Sequence, residues 1–164
     1  MKGTPTMDIK LVEKRLDSEA EAAAEFVVSA NLNVPEQRIK ELICCGMEGG
    51  ISYWAEIIDY EFAGGLSMAD FKQDGKMQEQ GNNYFHPSEI IPFSKGCSVV
   101  LRQTELEGEE ADVWRLNRAA IVDGLRVMMN KYPKHASNFL DENEDAETGD
   151  VFIQCCLLGE VIYG

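Results

Sequence analysis

The sequence predicts an α+β fold, rich in helix, with a small antiparallel sheet of two or three strands. Three observations carry this. Ile39, Leu42, Ile43, Gly46 and Met47 form one apolar stripe at helical spacing, on a helix that Asn33 and Pro35 open. Ala55–Phe62 and Cys97–Thr104 are apolar runs of strand length that pair most simply as antiparallel neighbours. Residues 113–132 and 151–158 read as two further helices, the second almost wholly apolar.

In chain order, Asp8–Leu16 alternates poorly and fits a strand or a helix start. Ser18-Glu19-Ala20-Glu21 matches a capping box, and the Ala-rich run behind it should be helical to Val28. Gly49-Gly50 marks the stop of the second helix. In the first strand Ile58, Tyr60 and Phe62 share a face, and Glu56 breaks the pattern. The polar, glycine-punctuated stretch 63–96 either holds a short helix around Pro87–Ile91 or is a mobile functional loop. Glu105–Asp112 is an acidic turn, and Asp112 caps a helix over Val113–Tyr132. Trp114, Ile121, Leu125 and Met128 form its inner face, and Pro133 ends it. Asp141–Asp150 is an acidic loop, and Asp145 or Thr148 caps the buried helix Val151–Leu158. The length of 164 residues fits a single domain, with 1–34 as a candidate N-terminal extension.

Charge bounds the function. The 29 acidic and 15 basic residues leave a net charge of −14. That opposes direct binding to nucleic acid or to anionic membrane. It fits a protein partner with a basic surface, or solubility alone, and both readings stay open. No apolar run approaches the roughly 20 residues that span a bilayer. Met1–Asp17 lacks the apolar core and cleavage site of a secretory signal, so the cytoplasm is the expected location. The cysteines, Cys44, Cys45, Cys97, Cys155 and Cys156, are two adjacent pairs and a singleton. That spacing fits neither a disulfide framework nor a zinc site, and their apolar neighbours mark them as small, reduced, buried hydrophobes.

No motif names a reaction, and no cofactor or metal is expected. Asp141-Glu142-Asn143-Glu144-Asp145 invites a calcium loop, but the sixth and twelfth positions hold Ala146 and Phe152 in place of Gly and a closing Glu. What remains is a weak cation site or a solvated loop capping a helix. His86 and His135 stand in no metal-type spacing, and neither is marked as a base for a cysteine. Two candidate regions survive. The first is an acidic partner-binding surface: Glu105, Glu107, Glu109, Glu110 and Asp112 with Asp141, Glu142, Glu144, Asp145 and Glu147. The second is a pocket for a flat ligand such as a base. It would draw on Glu48, Gly49, Gly50, Tyr53 and Trp54, with Arg115 and Arg118 sharing a helix face that could grip phosphate. The competing readings are aromatics packed in the core and arginines paired with nearby carboxylates. Gln154 and Asp150, one turn apart, read as a buried polar network tying the last helix to the Glu48-Gly49-Gly50 bend, or as further ligand contacts. If these residues build the fold, Gln154→Leu should be much milder than Trp54→Ala, because it removes the polar group instead of stranding it, though the partner left unpaired still costs something.

Glu48-Gly49-Gly50-Ile51-Ser52-Tyr53-Trp54 resembles the E-G-G-x-x-Y-W element of small proteins of uncharacterised function encoded by tailed bacteriophages and prophages. The end of the chain, from Asp150 and Gln154 through Gly159-Glu160-Val161-Ile162-Tyr163-Gly164, is similar to their D-x-x-x-Q…G-E-V-x-Y-G terminus. The resemblance implies a phage setting, hence the host cytoplasm, and a shared core without a known activity. It marks Glu48, Gly49, Gly50, Tyr53, Trp54, Asp150, Gln154, Glu160 and Tyr163. The expected function is a non-enzymatic accessory protein that binds a host factor, with a host defence complex as one target class. The alternative is a small-ligand or nucleotide binder, or a weak enzyme.

Overall fold

The computed structural model describes residues 31–73, 86–104 and 111–164. The chain divides into two units, 1–33 and 34–164, and the second carries every element below. The element expected at 8–16 and the helix expected at 18–28 lie outside the described residues, as do 74–85 and 105–110.

Helix α1 spans Glu36–Cys45 behind Pro35, whose fixed φ of −60° sets the helix entry. It buries Ile39, Leu42 and Ile43, the predicted stripe. The glycine pair does not stop it. The chain continues through a π-helical turn, Gly46–Gly50, and a 3₁₀ turn, Ile51–Tyr53. The reason lies far along the chain. A Cβ on Gly46 would stand 2.7 Å from the carbonyl oxygen of Gly149, and one on Gly50 would stand 2.6 Å from that of Ala146. The glycines are the floor of a helix crossing, where backbone must meet backbone.

Strands β1 (Ala55–Glu61), β2 (Ser98–Gln103) and β3 (Val113–Leu116) form an antiparallel sheet in the order β1-β2-β3. Ile57 opposes Leu101 and Tyr60 opposes Val99, with Ile58 as an extra, bulged residue between them. The bulge therefore overturns the face predicted for Ile58: it is 43% exposed, while Ile57 and Tyr60 pack on the core. β3 replaces the predicted start of a helix. Val113 and Arg115 are exposed while Trp114 and Leu116 turn inward, the two-residue period of a strand held against β2. Asp112 caps nothing helical. Asn117 does, taking a 3.0 Å bond from the Ala120 N–H at the head of α4, Arg118–Lys131. The Trp114-to-Ile121 spacing is compatible with a helix, which hid the strand.

Two helices were unforeseen among the described residues. α2, Met68–Gln73, begins where the Asp70 carboxylate accepts bonds from the N–H and hydroxyl of Ser67. α5, Pro133–Leu140, uses the proline that ends α4 as its own first residue. The short helix expected near Pro87 is α3, Pro87–Ile90. α6 runs Ala146–Leu158, so half of the expected acidic loop is helix. Asp145 caps it, accepting a 2.8 Å bond from the Thr148 N–H, and left-handed Gly159 (φ 76°) terminates it. α6 is the central helix: Phe152, Ile153 and Gln154 have no exposed surface. None of the described helices is long and apolar enough to cross a membrane.

Cys97 and Cys155 are buried, and Cys44, Cys45 and Cys156 are partly so; all five are free thiols. Burial pushes Cys44 and Cys155 up to about 12 and also raises Cys45 and Cys156. Little reactive thiolate then exists at neutral pH. We expect a bulky disulfide reagent to label the native protein slowly and the denatured protein fully. Rapid native labelling of three or more thiols would contradict the packing.

Candidate functional site

The residues marked by the resemblance are mostly structural neighbours. Asp150, in the second turn of α6, accepts bonds from the Trp54 indole N–H (2.7 Å), the Tyr53 hydroxyl (2.8 Å) and the Gln154 amide (3.2 Å). Gln154 also donates to the Tyr163 carbonyl, and its oxygen accepts from the N–H groups of Ile162 and Tyr163, all at 2.8 Å. The Tyr163 ring stacks on Trp54 at 5.0 Å and 9°. The polar network therefore ties α6 to the 3₁₀ turn and to the chain's last residues, not to the Glu48-Gly49-Gly50 bend. Trp54 is 1% exposed and Gln154 fully covered, so neither offers surface to a ligand.

The two arginines do not share a helix face. Arg115, on β3, makes a two-pronged pair with Glu61 of β1, at 2.8–3.0 Å. Arg118, at the start of α4, reaches Glu36 of α1 at 3.4 Å. No common phosphate grip is formed.

The second acidic run is largely engaged with its own protein. Glu144, its side chain 7% exposed, holds Arg38, which also donates to the Phe139 carbonyl (2.8 Å) and lies over the Phe139 ring. Asp145 is a helix cap, Glu147 meets Lys134 at 3.4 Å, and Asp141 accepts from Ser137. Glu142 is the one carboxylate of that run with no side-chain bond among the described residues. Asp112 is exposed at the entry to β3. Glu105, Glu107, Glu109 and Glu110 lie outside the described residues.

A cleft of about 780 Å³ opens beside β1. Its apolar lining includes Ile51, Ala55 and Ile57, and its polar lining includes Glu48, Glu56, Asp59, His86 and Glu89. Glu56 is paired with Arg102 of β2, whereas no cation is paired with Glu48, Asp59 or Glu89 among the described residues. Glu89, on α3, is 6% exposed, and burial raises its carboxyl pKa. Cys44, Glu48 and Glu89 bring one donor atom each within 4.8 Å of one another. With its thiol pushed up to about 12 by burial, Cys44 stays protonated at neutral pH.

Of the candidate site residues proposed from sequence, only Glu48 lines this cleft. Asp59, His86 and Glu89 were not marked as site residues. The available signal was Glu56, a charge breaking an apolar strand, which is how an edge strand reads. No family model, curated protein or solved structure matches the chain. Fold and cleft thus define a small acidic α+β protein with a carboxylate-lined groove beside its sheet.

Proposed function

We propose that the chain is a non-enzymatic accessory protein of a tailed phage that binds a basic surface on a host protein, with a defence complex as the target class. The phage setting comes from the motif resemblance. The binding mode rests on one observation: most of the described cations are already paired with carboxylates of this chain, while the cleft acids Glu48, Asp59 and Glu89 have no paired cation among the described residues. Arg38, Lys40, Arg102, Arg115, Arg118, Arg126 and Lys134 each lie on a carboxylate of this same chain. Glu48 and Asp59 stay exposed beside the buried Glu89. Cations on a partner would neutralise that surplus. A nucleotide is disfavoured in the same place, because the carboxylates repel phosphate.

The test pairs capture from host lysate with titration of the purified captured protein. Affinity should fall steeply as salt rises, since exposed charges are screened within about 8 Å at physiological ionic strength. Glu48→Gln with Asp59→Asn should weaken binding at least several-fold and leave the melting temperature in place. Glu144 is unsuitable for such a neutralisation, because it would strip half-buried Arg38 of its best-buried partner and leave it only the more exposed Glu41. Salt-insensitive binding by an unaffected double variant would end the proposal.

A further inference from the structure

β1 is an outer strand of the sheet and pairs only with β2 among the described residues. Every residue from Ala55 to Tyr60 lines the cleft. Successive strand residues point to opposite faces, so a cavity over one face touches every second residue. A cavity that meets six in a row runs along the strand's outer edge, which no other described strand pairs. Such an edge presents backbone N–H and C=O groups without a ladder partner. The opposite wall comes from Met47, Glu48 and Ser52 on the π and 3₁₀ turns, and from His86 and Glu89 at α3.

We infer that this groove receives an extended, basic segment of the partner protein as a fourth strand on β1. The inference rests on the acidic-surface reading above and adds the conformation and pattern of the segment. Cross-strand neighbours on one face interact directly. Ile57 and Tyr60 face the core side, while Glu56 and Asp59 face the other. The matching segment therefore alternates apolar residues with Lys or Arg. The bulge at Ile58 breaks the ladder and limits pairing to a short segment. A second copy of β1 fits poorly, because it would bring Glu56 and Asp59 against carboxylates in a protein of net charge −14.

The test uses the full chain and a fluorescent heptapeptide of alternating Lys and Val, followed by anisotropy. Two further peptides carry backbone N-methyl groups on the odd or on the even residues. We expect saturable binding of the parent peptide and at least tenfold weaker binding of one methylated peptide, the one whose methyls face β1. The Glu-Val counterpart should not bind. Amide hydrogen exchange in residues 55–61 should slow when the parent peptide is present. Equal binding of both methylated peptides, with no added protection in β1, overturns strand addition. The acidic-surface reading would survive that result if Glu48→Gln with Asp59→Asn still weakened the peptide. No binding of the parent peptide overturns the strand inference, and the salt and variant series on the captured partner then judges the surface reading alone. A concentration-dependent dimer that protects the β1 amides without peptide overturns it in favour of self-pairing.

Discussion

Replacing Trp54 by Ala should lower stability by about 3–5 kcal/mol, the usual cost of deleting a buried large aromatic. Several losses coincide there. Trp54 is 1% exposed, stacks on Tyr163 and meets the Trp114 ring edge-on at 5.6 Å. Its indole N–H also satisfies Asp150, a buried carboxylate one end of which would lose its donor. Thermal unfolding should show a drop of about 10 °C or more for a chain of this size. Gln154→Leu is the informative companion. It should be mild only if it removes an isolated polar group. Here it strips acceptors from the Ile162 and Tyr163 N–H groups and a donor from Asp150. Ile162 is 62% exposed, so water can replace part of the loss. We expect about 1–3 kcal/mol, with the last residues released from α6. An unchanged melting temperature for Trp54→Ala, together with lost partner binding, would instead return Trp54 to the binding surface.

Gly149→Val should be at least as damaging, at about 3 kcal/mol or more, beyond the usual range for overpacking. A Cβ at Gly149 would lie 2.2 Å from the backbone nitrogen of Gly46 and 2.7 Å from the Cys45 carbonyl carbon. No rotamer relieves a contact with backbone, so α6 must move away from the π turn. That would pull Asp150 off Tyr53 and Trp54 at the same time. Gly159→Ala is the control. Nothing lies within 4 Å of its Cβ, but φ is +76°, so only a left-handed backbone penalty of about 1 kcal/mol applies. Urea unfolding of the two variants separates packing from backbone strain. A Gly149→Val protein melting within a few degrees of the parent would show that the crossing is looser than described.

Local signals were legible where a residue answers to neighbours within a turn or along one strand. The stripe of α1, the strands β1 and β2 and the cap at Asp145 follow from periodicity and from a carboxylate facing free N–H groups. Val113–Leu116 was misread because four residues carry too little pattern to distinguish a strand from a helix start. Only the pairing with β2 decides it. The site was less legible still. Glu48 and Glu89 meet across 41 positions, and nothing local to either announces the other.

By itself the sequence determined the charge balance and the helix-rich α+β class, because composition and short-range period need no partner in space. Tertiary structure alone decided which charges are available. Arg115 went to Glu61 and Glu144 to Arg38, across 54 and 106 residues, while Glu48 and Asp59 were left facing the groove. It also turned Gly49-Gly50 from a stop into part of a helix crossing. The reason is common to both: a charge or a glycine acquires its meaning from the atom opposite, and the fold chooses that atom.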